Sequence, residues 1–466
     1  MKAIWIQIGI GTLGFLSAFP VQSAEKVEGR TWTDLQGRTL EAELIGLGRG
    51  QRKVIFKVAN GNEVTFPLDQ LIAADQALVR LTFPSDAATA TKQIDQLIFK
   101  RLDHVPNTPA TDNDKHSNYL ANLRALAKPS EPLSDERFLQ RIYPSLTGRD
   151  PSPEEVSAFQ TNTDPNKREA LIDRLVESEE FVNHFLGFLD DLLRVDGARL
   201  KAVAYPECLS KIGKEQIAEI RRDQFSPPPP ESYRDWVKTQ IQGDRPWNQL
   251  VKEILTASGK YSENPATGYL LAEHGIGLIN PSHAMTAFAG VEITCAQCHD
   301  HPYEEIYQMD YLRIAAFFGE LQIQPVDGKL LSADANLVDE PTNRARLPSD
   351  YRYNDGTPGD PVSPGVYFGA TVDREKSPTA RAAFADWLTA ESNPRFTYNI
   401  VNRLWEHLYG TALVEPACNL PGHLGDVAHD LELLEYLAAL MKEKDYRLKA
   451  FLKLLCKTEA FSGTKG

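Results

Sequence analysis

Apolar residues alternate with polar ones near the start of the chain and recur every third or fourth position over most of the rest. The alternating part predicts short strands over 39–45, 53–58 and 64–67. Gly37 and the Asn60-Gly61-Asn62 turn join them as hairpins. A short helix is expected over 68–78 and a longer one over 92–102. From 133 to 321 the period is helical. Phe138, Leu139, Ile142 and Tyr143 share one helix face. Ser152-Pro153-Glu154-Glu155 is a capping box with proline at the first helical position, so a helix begins there. Further helices are predicted over 167–177, 181–195, 232–241, 246–258 and 311–321. The four prolines 227–230 form a stiff spacer before one of them. Residues 322–378 are rich in Gly, Pro, Asp and Asn and read as a long irregular connection. Helices resume near 380, 397 and 430, with a last one over 447–458. The predicted class is mainly α: a small N-terminal SH3-like β-barrel, then two helical domains separated by the irregular connection.

The first residues change the picture of where this chain works. Lys2 precedes an apolar run over 3–19 and then Pro20-Val21-Gln22-Ser23-Ala24. A positive start, an apolar core and small residues at the exit describe an export signal over 1–24. The apolar run is short for a membrane span and is broken by Gln7 and glycines. The mature chain is therefore expected to be exported, periplasmic or at the cell surface, with no membrane span after cleavage. The domains that follow are a β module at 25–83, a linker at 84–132, helical domains at 133–321 and 379–466, and the connection at 322–378.

The 466 residues hold 50 Lys and Arg against 64 Asp and Glu, a formal net charge of −14. An acidic surface cannot displace nucleic-acid counterions, so no nucleic-acid partner is expected. Five cysteines are too few for a disulfide scaffold. Two of them lie in Cys295-Ala296-Gln297-Cys298-His299-Asp300-His301-Pro302. Cys-x-x-Cys-His is the attachment pattern of haem c. Two thiols at this spacing reach the two vinyl groups of one porphyrin, and the adjacent imidazole faces the iron. This reading makes Cys295, Cys298 and His299 the cofactor-binding residues. Other readings stay open. Cys295 and Cys298 can form a disulfide in an oxidising compartment. Zinc can take Cys295, Cys298, His299 and His301, although structural zinc sites usually use two separated pairs. Iron or zinc can take His299, Asp300 and His301. The sixth ligand of a haem iron would come from Met309, Met285, His274, His283 or His301. Asp300 either orients an imidazole or caps a turn. Arg403 and His407, four apart on a helix, either meet an anion such as a haem propionate or pack locally beside Asn402 and Trp405. Cys418 and Cys456 are candidates to pair, with Cys208 left single. No phosphate-binding glycine loop, no Gly-x-Ser-x-Gly elbow and no His-Glu-x-x-His helix occurs, so no catalytic residue is assigned.

Three stretches place the chain beside known families. Residues 138–159, the pair Tyr233-Arg234-Asp235-Trp236 and Asp244-Arg245-Pro246-Trp247, and residues 290–303 resemble the planctomycete cytochrome-associated domain of unknown function (DUF) 1549. Trp387-Leu388-Thr389, Asn393-Pro394, Asn399-Ile400-Val401-Asn402-Arg403-Leu404-Trp405 and Leu413-Val414-Glu415-Pro416 resemble its partner family, DUF 1553. Near the N-terminus, Arg30-x-Trp32-Thr33-Asp34, Gly37-Arg38, Glu41-Ala42 and Phe66-Pro67-Leu68 are similar to the first homology domain of the Sla-one adaptor class, SHD-1. The last resemblance implies a module that binds a protein partner. The first two imply an exported protein related to cytochromes, with no activity attached. The function expected is a haem-c-type redox or electron-transfer protein with a redox partner. The alternatives are a metal-dependent periplasmic enzyme acting on polysaccharide-derived substrates, or a non-catalytic assembly protein.

Overall fold

The computed structural model describes residues 27–47, 53–72, 75, 79, 87–103, 133–195, 230–272, 279–325, 335–369, 372, 374–420 and 431–462. The segment expected to be an export signal, most of the linker, prolines 227–229 and Cys208 lie outside them, while Pro230 opens a helix. The chain divides into two compact units, Met1–Gln93 and Ile94–Gly466.

In the first unit, β1 (Val27–Thr33), β2 (Thr39–Leu47), β3 (Lys53–Val58) and β4 (Glu63–Pro67) form one antiparallel sheet in sequence order. Alternate residues supply its core: Trp32, Ala42, Leu44, Val54 and Phe56 are buried, with Leu68, Leu71 and Val79 closing beneath them. Trp32 and Phe56 lie 4.8 Å apart, and the Trp32 indole N–H donates to the Ala42 carbonyl at 2.9 Å. Gly61 takes the left-handed conformation (φ 83°) that the β3–β4 turn requires. The sheet is not closed into a barrel. The end of β1 meets the following segment through the Asp34–Leu71 bridge, its flanking backbone bonds, and Asp75, which accepts from Thr33 N–H and pairs with Arg30. The helix expected over 68–78 begins as a single 3-10 turn, Leu68–Gln70. Pro67 sits just ahead of it, and Leu71 returns to extended geometry to make the bridge.

α1 (Ala87–Asp103) leads into the second unit, which is helical. α2 (Asp135–Thr147), α3 (Pro153–Thr161), α4 (Lys167–Val176) and α5 (Glu179–Leu193) follow one another with short turns. Ser152 caps α3 as its sequence requires, accepting from Glu155 N–H while the Glu155 carboxylate accepts from Ser152 N–H. α6 (Pro230–Gln242) and α2 both pack on α5, through Phe181, Phe185, Leu189 and Leu193. α7 (Trp247–Thr256) follows; then come α8 (Gly268–Leu271), α9 (Ile279–Ala284) and α10 (Gln308–Ala316). The last group is α11 (Ala380–Thr389), α12 (Pro394–Tyr409), α13 (Leu431–Glu443), α14 (Leu448–Cys456) and α15 (Glu459–Ser462). None of the described helices is long and apolar enough to cross a membrane.

The connection expected to be irregular is partly a sheet. β6 (Leu321–Pro325) and β7 (Ala335–Asp339) pair antiparallel, and β7 also pairs with β5 (Gly259–Lys260), in the order β5-β7-β6. Arg381 of α11 anchors this sheet from a fully buried position. Its guanidinium reaches both carboxylate oxygens of Asp339 at 2.8 and 2.6 Å, and the Leu255 and Ala257 carbonyls at 2.8 and 3.0 Å. The two carbonyls end α7, where a cation is favoured. One side chain thus satisfies a strand end, a helix end and its own charge.

Removing one partner of such a buried pair strands the other. Arg381→Ala should lower stability by about 3–5 kcal/mol in urea denaturation. Arg374→Ala, which breaks a partly exposed pair with Glu320, should cost clearly less.

Candidate functional site

The Cys-x-x-Cys-His segment is presented by a run of irregular backbone. α9 widens into a π-turn, Met285–Ala289, and Gly290 ends it in the left-handed conformation (φ 62°). A 3-10 turn, Thr294–Gln297, then sets Cys295 and Cys298 on the surface while Ala296 points into the core. Two side chains hold this turn. The Glu292 carboxylate accepts from Thr294 N–H at 2.8 Å. The Gln308 side chain, itself buried, donates to the Gln297 carbonyl at 3.1 Å. Behind it, α12 grips the π-turn: Asn399 donates to the Ala287 carbonyl at 2.6 Å and Arg403 to that of Thr286 at 3.3 Å. Asn399 also accepts from Arg403 at 3.1 Å, and Gly290 accepts from Leu420 N–H at 2.6 Å. Asn419 takes the Glu292 N–H at 3.2 Å.

The two histidines differ in the state of their nitrogens. His299 lies exposed with Nδ1 2.7 Å from the Asp300 carbonyl. A carbonyl only accepts, so Nδ1 carries the proton and Nε2 keeps its lone pair. His301 is the reverse. Its Nδ1 accepts from Tyr303 N–H at 3.3 Å and Glu304 N–H at 3.0 Å, which puts the proton of the neutral ring on Nε2. His299 thus keeps an open ring nitrogen, while His301 caps its own turn. Asp300 orients neither imidazole through its carboxylate. Its Oδ1 accepts from Gln308 N–H at 2.9 Å, at the start of α10, and its own N–H donates to the Tyr353 hydroxyl at 2.9 Å. Among the described residues no group of three or more His, Cys, Asp and Glu side chains is arranged to hold a metal ion.

The candidates for a sixth ligand separate by burial. Met285 is fully buried in the core. His283 uses both ring nitrogens, with the Tyr269 hydroxyl at 2.9 Å and the Asp191 carbonyl at 2.8 Å. His274 lies outside the described residues. Met309 is half-buried and lines a cleft of ≈ 370 Å³ beside Asp300. Cys295, Cys298, Cys418 and Cys456 are free thiols. The expected Cys418–Cys456 pairing does not occur. Cys418 is exposed, whereas Cys456 is enclosed in α14, where burial pushes its thiol pKa far up.

α12 serves packing rather than an anion. Asn402 accepts from Leu413 and Val414 N–H at 2.8 and 3.0 Å and donates to the Val414 carbonyl at 2.8 Å. Trp405 stacks on Tyr409 at 3.9 Å inside the core. His407 packs on Phe188 at 4.5 Å, and burial, then nearby His184, lowers its pKa to about 4. The sequence had not singled out Glu292, Gln308, Tyr353, Asn399 or Asn419 by role. Their signal is only their nearness in sequence to named motifs.

Residues 120–207 and 214–323 match the family model PSCyt2, a protein of unknown function (DUF1549). Residues 380–465 match PSD1, a protein of unknown function (DUF1553). No curated protein and no solved structure matches the chain.

Two outcomes are expected of substitutions here. A Cβ at Gly290 would lie 2.9 Å from both Asn399 Oδ1 and Leu420 Cγ, on a backbone that disfavours side chains. Gly290→Ala should therefore destabilise by about 1–3 kcal/mol, read as a lowered urea midpoint. His407 sets a pH dependence. Its unfolded imidazole, near 6.5, takes a proton before the folded one does. Its contribution is full above pH 6.5, falls as pH drops, and is lost below about 4, a change of about 3 kcal/mol. Asp95, whose pKa burial raises to about 6, acts in the opposite sense over part of that window. The difference between wild type and His407→Gln isolates the imidazole: it should vary between pH 4 and 6.5 and be flat above.

Proposed function

We propose that this protein, which carries a DUF1549 region followed by a DUF1553 region, is an exported haem-c-type redox protein centred on Cys295, Cys298 and His299. The observation that supports the reading is the state of three side chains. Cys295 and Cys298 are exposed and unpaired on one turn, and His299 keeps its Nε2 lone pair beside them. This donor set fits the group: two thiolates for its thioether links and one imidazole for its iron. A haem held there would accept and release one electron at a time.

The chain's own residues prepare that attachment. Glu292 and Gln308 fix the turn that spaces the thiols. The Asp300 carbonyl holds the His299 proton on Nδ1, which orients the ring and leaves the Nε2 lone pair open. Met309 is the sixth-ligand candidate left at an accessible edge. A mononuclear metal enzyme built on His299, Asp300 and His301 has less support, because Asp300 and His301 are committed to backbone N–H groups. Residues 1–24 act in this reading as the export signal that takes the chain to the compartment where haem is attached. The N-terminal sheet acts as an SHD-1-like, SH3-like module for a protein partner.

The test is to express the full chain in a host with haem-c maturation and extract the denatured protein with acid acetone. Haem should stay with the polypeptide and give a c-type pyridine haemochrome. Cys295→Ala and Cys298→Ala should each shift that spectrum to the single-thioether position. His299→Ala should keep some covalent haem but change the iron's spin state. A chain that retains no haem after denaturation would overturn the proposal.

A further inference from the structure

The ≈ 370 Å³ cleft beside Asp300 has a chemistry of its own. Tyr351 is buried against it, and its hydroxyl donates to Asp355 Oδ1 at 2.5 Å. Tyr353 meets Tyr351 edge-on at 5.6 Å, and Tyr307, 57% exposed, stands at the rim with Met309. Two carboxylates open on the same space. Asp300 gives one oxygen to Gln308 N–H and Asp355 gives one to Tyr351. The second oxygen of each has no hydrogen-bond partner among the described residues. No Lys, Arg or His lines the cleft. Both carboxylates also act on Tyr351, whose pKa burial first, then Asp355 and Asp300, push up, so the two charges converge there.

Aromatic rings with unneutralised carboxylates beside them attract a cation. A hydrated inorganic ion would forgo the aromatic walls. An alkylated ammonium uses both: its methyl groups contact the rings and its charge faces the carboxylates. Met309 adds a polarisable thioether to the wall. We infer that this cleft is a binding site for an organic ammonium group, formed by Tyr307, Tyr351 and Tyr353 with Asp300 and Asp355. The site does not need the thiols, although Met309 of its wall is also the sixth-ligand candidate of the haem reading. It also touches the same backbone: the Asp300 N–H binds Tyr353 and the Asp300 carbonyl binds His299.

Calorimetric titration of the full chain tests it, with choline as probe and 3,3-dimethylbutan-1-ol as its uncharged isostere. Choline should bind, and the isostere should bind at least about tenfold more weakly. Asp355→Asn should weaken choline by about fivefold or more, and Tyr307→Ala by a similar factor. Both side chains are exposed, so either variant keeps the test alive if the other misfolds. Added salt should weaken choline and leave the isostere unchanged. Equal affinity for the two probes, no choline binding, unchanged affinity in the variants, or preference for a neutral disaccharide such as cellobiose would overturn the inference.

Discussion

The Asn399 side chain joins the two family regions at the π-turn behind the Cys-x-x-Cys-His segment. Its amide donates to a π-turn carbonyl of the DUF1549 region, and its oxygen accepts from Arg403 of its own helix. Arg403 then reaches a second π-turn carbonyl, and Leu420 N–H takes the Gly290 carbonyl. A π-turn leaves carbonyls that an α-helix would have satisfied internally, and buried carbonyls need donors. The DUF1553 region supplies them. The Cys-x-x-Cys-His turn begins four residues after Gly290, so its position is set by a contact between regions that a sequence reading treats as separate domains. Burial lowers the Arg403 pKa only from a very high starting value, so the guanidinium stays charged and its grip persists across ordinary pH.

Much of this was legible in the residues. The capping box at Ser152, the helix faces around Phe138 and Phe181, and the hairpins around Gly37 and Asn60-Gly61 all act over short range, where sequence dictates geometry. α12 shows where that fails. The sequence pattern predicts its start near 397, yet Asn393 caps the helix and Pro394 opens it. The apolar spacing after Phe396 drew the boundary inward. The three-stranded sheet failed for another reason. Leu321-Gln322-Ile323-Gln324 does alternate, but its first residue falls inside the helix expected over 311–321, which ends at Ala316, and β5 is two residues long. Such strands exist because β7 and Arg381 complete them, and those partners lie tens of residues away.

The site was legible as a motif and illegible as chemistry. Spacing alone makes His299, Asp300 and His301 equivalent candidates for an iron or zinc ion. What separates them is where each proton sits, and that depends on backbone groups no motif records. A carbonyl at His299 Nδ1 leaves Nε2 with an open lone pair; two N–H groups at His301 Nδ1 leave a cap. The same holds for Asp300, whose carboxylate is taken by the first turn of α10. Likewise Arg403 and His407 share a face as their spacing requires, but one is spent on carbonyls and the other among phenylalanine rings.

Asp300 is where these constraints meet. Its carbonyl fixes the His299 ring, its carboxylate starts α10, and its N–H is held by Tyr353 in the aromatic cleft. The Asp300 N–H and C=O belong to successive peptide planes that meet at its Cα, so both bonds hinge on one residue's φ and ψ. A shift of Tyr353 on filling the cleft would therefore act on the residue that aims the His299 lone pair. Imidazole orientation and basicity are among the levers that set the properties of a bound iron. The cleft and the thiol turn are distinct in chemistry, but one residue's backbone couples them, and the coupling follows from hydrogen bonds rather than from proximity alone.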